Sequence, residues 1–463
     1  MDFCSKNLNC IILAAGDGKR MHAAGSKVLC EVSGKPMLFW VIDAVRKSDI
    51  LKICVISGND DVKKAACGCD IAEQMERLGT GHAVLCGKSF LQENSGNTLV
   101  LNGDAPFLDS ASILGALELH LSGDNSVTVI GSHADYPVGH DRIVRSGNKL
   151  SAIIRDSDCA SAQSEFKEID TGAYWFKTAD LISALECKKA QDKNGEYSLS
   201  ETVLSLLDDK KNIGCFISSD SSMALSGKTP SDLLAMNNIS NRRAIEKHLG
   251  NGVHFIGTDG VAIGPDVTIE AGATILPGCM LYGSTHIASG AKIGPNSLLV
   301  NVTIGNDSVF NASQGFDSTI GSCVKIGPYV HLRPDSIIDN NVKIGDFVEV
   351  KNSHIGEGTS LAHLTYIGDS DIGRFCNFGC GVVVVNYDGE VKNRTVVGDY
   401  AFIGCNTNLV APVSVGNGAY TAAGTTVTHD VPDGALAVGR ARQTTIEGWA
   451  AKKLKKYIEK KSK

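Results

Sequence analysis

Leu13-Ala14-Ala15-Gly16-Asp17-Gly18-Lys19-Arg20-Met21 ends an apolar run with glycines and cations, a composition suited to a phosphate chain. Glycine lets backbone N–H groups come close to phosphate oxygens, and Arg20 adds charge. Lys27 follows in Ser26-Lys27-Val28-Leu29, and two cations near one loop suit a polyphosphate leaving group. A dinucleotide fingerprint would need a third glycine where Met21 stands, and a Walker A loop would need Ser or Thr where Arg20 stands. A nucleoside triphosphate loop of another type is the reading these residues favour. Leu78-Gly79-Thr80-Gly81-His82-Ala83 is a second small-residue loop, and Leu101-Asn102-Gly103-Asp104-Ala105-Pro106 closes a strand with a carboxylate. A lone Asp there is often a turn residue. In the company of the two loops, Asp104 reads as a Mg²⁺ ligand.

A different chemistry is written further on. His331-Leu332-Arg333-Pro334, then Lys351-Asn352, then Leu361-Ala362-His363-Leu364-Thr365-Tyr366-Ile367-Gly368-Asp369 carry cations and one histidine, followed by Asn377 and Val385-Asn386-Tyr387-Asp388-Gly389. Histidine is the natural base near neutral pH. A solitary His in such a stretch is usually structural. Beside Arg333, Lys351, Tyr366 and Asn386, His363 reads as a catalytic base. Arg333 and Lys351 would clamp a phosphate.

These residues need elements to position them. In the first half, Cys10–Ala15, Ile53–Ile56 and Thr98–Leu101 are short apolar strands, and Met37–Val45 is helical in pattern. Strands alternating with helices indicate a mostly parallel α/β sheet, whose ligands bind beyond the strands' carboxyl ends. Residues 231–249 read as one helix with Ser231 as N-cap after Pro230 and Gly250 as the stop.

After Gly252, an anchor recurs every six residues: Ile263, Ile269, Ile275, Leu281, Ile287, Ile293 and Leu299. The phase slips by one to Ile304, Phe310 and Phe316 and resumes at Ile320, Ile326, Leu332, Ile338, Ile344 and Val350. It continues at Ile355, Leu361, Ile367, Ile372, Phe378 and Val384, breaks near 386–394, and returns from Val397 to Val427. A short period sustained this long means a solenoid, each repeat forming one flat side of a triangular coil. The anchors should stack inward and small residues should turn the corners. His363, two residues past Leu361, should project from the coil surface.

Composition narrows the classes. The 463 residues suggest two or three domains. A net charge of −7 argues against a nucleic-acid partner. The absence of a run of ~18 apolar residues argues against a membrane span, and the N-terminus lacks the features of a signal peptide. Fifteen cysteines without CxxC pairs read as free thiols in a reducing cytoplasm. Cys67 and Cys69 lack partners for a structural metal site. Residues 452–463 hold seven lysines and one glutamate and read as a solvated, partly disordered tail.

The solenoid resembles the hexapeptide-repeat acyltransferases. With the loops of the first half, Asn194-Gly195-Glu196-Tyr197 and Met236-Asn237-Asn238, the whole chain resembles the family of bifunctional N-acetylglucosamine-1-phosphate uridylyltransferases/glucosamine-1-phosphate acetyltransferases. The resemblance implies an α/β fold. A Rossmann-like nucleotidyltransferase domain would span 1–230, a helical linker 231–251, and a left-handed parallel β-helix of hexapeptide repeats with its basic tail 252–463. It implies that Leu13, Ala14, Ala15, Gly16, Lys27, Gln74, Gly79, Thr80, Asn102 and Gly103 hold UTP, with Arg20 assisting Lys27, and that Asp104 and Asn237 hold Mg²⁺. The sugar phosphate would attack the α-phosphorus of UTP in line and expel pyrophosphate.

For the second half the resemblance implies that His363 deprotonates an amine attacking acetyl-CoA. Arg333, Lys351, Tyr366 and Asn377 would hold the sugar phosphate. Cys380, Asn386, Tyr387, Cys405, Ala423 and Arg440 would lie along the coenzyme, between subunits of a homotrimer. Cys380 and Cys405 stand where the family commonly has small Ala and Ser.

The departures cluster around the sugar of the first site. Asn102-Gly103-Asp104 replaces Tyr-Gly-Asp, and Asp141 stands for a glycine. Arg155 follows Ile153-Ile154 where a glutamate is expected, and Asp170-Thr171-Gly172 replaces Asn-Thr-Gly or Asn-Ser-Gly. Asp170 would repel a sugar phosphate, or would pair with Arg155 and preserve the pocket. The expected function is acetylation of glucosamine-1-phosphate followed by formation of UDP-N-acetylglucosamine, a cell-wall precursor. One alternative is an acetyltransferase whose first domain has changed or lost its activity. Another is a regulatory nucleotide-sugar-binding subunit, against which the set His363, Arg333, Lys351 and Tyr366 argues.

Overall fold

The computed structural model describes residues 7–23, 25–134, 140–156, 166–187 and 196–462. Asn194 and Gly195 of the motif above lie outside them. The chain forms two compact units, Met1–Ile245 and Glu246–Lys463.

The first unit is built on a nine-stranded sheet. Strand Leu8–Ala14 lies between Ile53–Ser57 and Asn97–Asn102 and is parallel to both. Glu168–Lys177 runs antiparallel between Asn97–Asn102 and Val127–His133, and the hairpin Arg142–Ser146/Lys149–Ile154 closes one edge. Helices Met37–Arg46 and Ser110–Ser122 bury Leu38, Val41, Val45, Ile113 and Leu117 against one face. Helices Thr80–Cys86, Thr178–Glu186 and Leu199–Asp208 cover the other with Val84, Leu181, Leu185, Val203 and Leu206. The parallel pairing Leu13↔Asn102 brings the carboxyl ends of two strands to one edge of the sheet. The Gly16 and Asp104 loops follow directly, and Gly103 N–H donates to Leu13 O at 2.9 Å.

The helix expected at 231–249 spans Pro230–Gly250. Its cap is not Ser231. Thr229 Oγ1 accepts from Asp232 N at 3.2 Å, and an Asp232 carboxylate oxygen accepts from Thr229 N at 2.7 Å. This reciprocal box leaves Pro230 at the first helical position, where its missing N–H costs nothing.

The second unit is a parallel β-helix of short strands. Successive coils pair in register: Ile263↔Leu281↔Leu299, Ile269↔Ile287 and Ile275↔Ile293, a spacing of three hexads. Every predicted anchor is buried except Phe316, which is half-buried. Leu299 pairs with Gly315 rather than Phe316, so Gly315 takes the inward position. A Cβ there would lie 3.5 Å from the Phe310 ring, which together with Leu299 and Val302 fills the space the missing side chain leaves. Phe310→Ala should therefore open two adjacent positions at once and cost about 3–5 kcal/mol of unfolding free energy; chemical denaturation would measure it.

Large residues turn several corners where small ones were expected. Tyr329, Phe347, Leu364, Phe375 and Tyr400 adopt φ between 48° and 60°. Single residues pay about 1 kcal/mol for this conformation. The four aromatic rings among them project outward and stack, Tyr329 on Phe347 at 5.3 Å and Phe375 on Tyr400 at 5.5 Å, which offsets part of it. The lysine-rich tail is exposed, as expected, but not irregular: Trp449–Lys461 is a helix with Lys453 Nζ over the Trp449 ring at 4.2 Å. Among the described residues no helix is long and apolar enough to cross a membrane.

Candidate functional site

Two cavities of about 240 and 290 Å³ meet at the carboxyl edge of the first sheet and share Lys27, Asn102 and Asp104. The smaller is lined by Leu13, Ala15, Gly16, Gln74, Gly79 and Thr80. The loops are glycine-rich for steric reasons visible here. A Cβ on Gly16 would meet Lys27 Cε at 3.3 Å, so the glycine gives the lysine its path into the cavity. Gly79, at φ 110°, would meet Tyr197 O at 2.1 Å, a backbone approach that no side chain allows. Gln74 donates from Nε2 to Gly79 O at 3.0 Å and fixes that loop. Lys27 Nζ pairs with Asp104, which is only 6% exposed. Ala14 is buried and lines neither cavity. Arg20 is exposed and lines neither. Asn237 also lies outside both linings, and its Oδ1 accepts from Ser33 N at 2.7 Å.

Asp104 suits Mg²⁺, a hard cation that commonly takes one or two protein carboxylates and completes its shell with water and phosphate oxygens. Its carboxylate stands where the cavities join. Asn237 Oδ1, which already accepts from Ser33 N, has one further lone pair to offer such an ion.

The larger cavity holds the departures. Asp141 and Asp170 both line it, with His140, Tyr174 and Lys228. Arg155 does not pair with Asp170; its guanidinium is taken by Glu201 of helix Leu199–Asp208. Asp170 instead accepts from Tyr174 Oη and, at 2.8 Å, from Gly172 N. Burial pushes its carboxyl up to about 6, against the lowering effect of those two donors. Burial, then Lys228 and Arg142, hold His140 below the usual histidine value.

Asp170 therefore keeps its proton in the fold at pH values where the unfolded chain has lost it. Its contribution to stability is complete below about pH 4 and gone once pH has risen through the folded value near 6. Relative to Asp170→Asn, the wild type should lose roughly 2–3 kcal/mol between about pH 4 and pH 7. Urea unfolding of both proteins across that range checks it; a pH-independent difference would refute it.

In the second unit, the strands stack the predicted residues in rows. Leu332↔Val350 and Lys351↔Gly368 set Arg333 directly below Lys351. Lys351 Nζ lies 3.6 Å from Asp369, whose carboxylate also accepts from Asn352 at 2.6 Å and from the Asn386 amide. Burial works against the Asp369 anion, but these partners hold its pKa below the usual carboxylate range. Lys351 is held below the usual lysine value, first by the close approach of Lys392, then by burial and by the charge of Arg333, against the raising effect of Asp369. Crowded cations of this kind are relieved by an anion such as a phosphate. Arg333 also bonds Glu349 at 2.9 Å. Tyr366 lies on the same face, its hydroxyl over Gly368.

His363 is exposed at the corner before that face, with Nδ1 4.0 Å from Asp346. Asn377 belongs to the other sheet, around that corner from Tyr366. Cys380 is half-buried, and Cys405, Ala423, Tyr387 and Arg440 are exposed. The Arg440 stem runs beside Gly424.

Comparison with known proteins agrees with this division. The MobA-like NTP transferase domain family matches residues 10–168, and the bacterial transferase hexapeptide (six repeats) family matches 317–352. A protein of Clostridium novyi (strain NT) named Bifunctional protein GlmU is 40% identical over 457 residues, covering 96% of this chain and 98% of its own length. The protein of the same name from Caldanaerobacter subterraneus subsp. tengcongensis is 42% identical over 451 residues, with the same coverage.

The chain belongs to the GlmU family.

For a GlmU chain, sequence reasoning passed over three cations. Arg77 lines the smaller cavity, donates from Nε to Ala15 O at 2.8 Å and pairs with Asp17 at 2.7 Å. Lys228 lines the larger cavity, and Lys392 stands against Lys351. None sits in a glycine-rich or acidic motif, so no local pattern marks them. For Lys392 the one signal was the break in the hexad between Val384 and Val397, which had to carry something off the coil surface.

Proposed function

We infer that this chain catalyses both steps of UDP-N-acetylglucosamine synthesis, acetyl transfer to glucosamine-1-phosphate in the second unit and uridylyl transfer in the first. The observation that carries the reading is that a polyphosphate-type site and a separate phosphate-plus-base site occupy different units of a chain that covers its GlmU relatives almost end to end. Functional boundaries at 1–230, 231–251 and 252–463 fit this division.

In the first unit, the triphosphate lies against the Gly16 and Gly79 loops with Lys27 over it, and the sugar phosphate enters the larger cavity. Mg²⁺ held at Asp104, when bound, supplies charge neutralisation to the phosphates. Lys27 neutralises the leaving pyrophosphate, and the backbone N–H groups of the two loops orient the chain for in-line attack.

In the second unit, Arg333, Lys351 and Lys392 hold the sugar phosphate, Tyr366 and Asn386 orient the sugar, and His363 takes the amine proton. Asn377 faces away from this group on one chain, so a second copy of the solenoid would have to supply it. A homotrimer with acetyl-CoA between subunits, along Cys380, Tyr387, Cys405, Ala423 and Arg440, meets that need.

A second reading keeps the acetyltransferase and changes the sugar of the first site, because Asp141 and Asp170 line that cavity while Arg155 is bound to Glu201. Pyrophosphate release with UTP, Mg²⁺ and N-acetylglucosamine-1-phosphate decides between them. Brisk release supports the bifunctional reading. Acetyl transfer without release supports the second, and loss of both reactions overturns each.

A further inference from the structure

The larger cavity of the first unit holds one charge without a partner. The carboxylates Asp104, Asp141 and Asp170 line it, with the ammonium groups of Lys27 and Lys228. Asp104 and Lys27 pair with each other. A sugar 1-phosphate entering the cavity brings about 1.5 to 2 further negative charges near neutral pH. Asp141 and Asp170 repel that charge, and a cation is needed to offset them. His140 supplies none, because burial first, then Lys228 and Arg142, hold its ring below the usual histidine value. Lys228 is the cation that remains. It is half-buried, and among the described residues no carboxylate forms an ion pair with its ammonium. Its backbone is fixed on both sides. Gly227 N donates to Asp104 O at 2.9 Å, which ties this segment to the loop at the join of the two cavities. Lys228 N and Thr229 N donate to an Asp232 carboxylate oxygen at 3.1 and 2.7 Å, which ties it to the start of helix Pro230–Gly250. An ammonium anchored in this way at a cavity wall is completed by a phosphate oxygen.

We propose that Lys228 binds the phosphate of the sugar 1-phosphate and offsets the two carboxylates that this chain places around the sugar. The proposal rests on the nucleotidyltransferase reading of the first unit. It holds whichever sugar the site takes, because the phosphate is common to all of them. The Lys228 ammonium donates to one oxygen of that phosphate while another attacks the α-phosphorus of UTP. The bond from the α-phosphorus to the bridging oxygen breaks, and pyrophosphate leaves with its electron pair. Lys228 keeps its proton throughout. Its contact is made before and during the reaction, so its loss falls on the KM for the sugar phosphate.

The test uses the full-length protein with UTP, Mg²⁺ and, in turn, the 1-phosphates of N-acetylglucosamine, N-acetylgalactosamine, glucosamine and glucose, and follows pyrophosphate release. With the sugar phosphate that the wild type uses best, Lys228→Met should raise the KM for that substrate by about ten- to a hundredfold, the worth of a hydrogen bond to a charged group. The KM for UTP should stay within about twofold of wild type, which also shows that the first unit has folded. Lys228→Arg, which keeps the charge, should recover most of the loss. If Lys228→Met is too slow to titrate, Lys228→Arg decides: recovered turnover supports the proposal, and none overturns it. A sugar phosphate KM within about twofold of wild type in Lys228→Met, or an equal rise in the KM for UTP, overturns the proposal and leaves the nucleotidyltransferase reading standing. A wild type that releases pyrophosphate with none of the four sugar phosphates overturns both.

Discussion

Replacing His363 with alanine is expected to lower acetyl transfer to glucosamine-1-phosphate by roughly a hundred- to ten-thousand-fold, while pyrophosphate release by the first unit stays within about twofold of wild type. The first figure is the usual worth of a positioned general base. An ammonium cannot attack a thioester until its proton is removed, and His363 stands at the corner that leads onto the face carrying the phosphate clamp. The fold should survive the change, because His363 projects from a corner, its side chain is 58% exposed, and its ion contact with Asp346 is a long 4.0 Å. A contact of that kind on the surface contributes under about 1 kcal/mol. Loss of both activities together would point to misfolding rather than chemistry, and an unchanged acetyl transfer would remove His363 from the mechanism. Measuring both reactions on one preparation separates these outcomes, since each unit serves as the folding control for the other.

The residues that could be read from sequence are those whose placement the repeat or the sheet enforces. A hexad places His363 outside the coil regardless of its neighbours, and parallel pairing of Leu13 with Asn102 forces the Gly16 loop beside Asp104. What could not be read depended on which of several available partners folding would select, near or far in the chain. Arg155 meets Glu201, 46 positions away, and Asp170 takes its donors from Tyr174 and Gly172 instead. Phe316 was the natural anchor by hydrophobicity, yet the register chose Gly315 because the Phe310 ring already occupied that part of the core. Ser231 was a sound cap by residue type, but Thr229 and Asp232 could satisfy each other around Pro230, and two bonds outweighed one. In each case the local preference was real and a contact formed by folding exceeded it.

The largest effect in the first unit should follow from Asp104→Asn. The substitution keeps the shape but exchanges one acceptor oxygen for an NH2 donor and removes the anion that faces Lys27 at the join of the two cavities. Two consequences compound. A neutral amide is a poor ligand for Mg²⁺, which favours carboxylate and phosphate oxygens, and Lys27 loses the partner that fixes its ammonium over the triphosphate path. Removing one preorganised group that meets developing charge costs on the order of a hundred- to thousand-fold in rate, and here two groups are disturbed by one change. Pyrophosphate release is therefore expected to fall by at least that factor and to recover only in part at high Mg²⁺. Acetyl transfer should remain at the wild-type level. Full recovery at high Mg²⁺ would mean that Asp104 contributes affinity alone. An Asp104→Asn protein that releases pyrophosphate at the wild-type rate would show that the reaction uses neither the carboxylate nor its hold on Lys27, and the nucleotidyl site would have to be sought away from the join of these cavities.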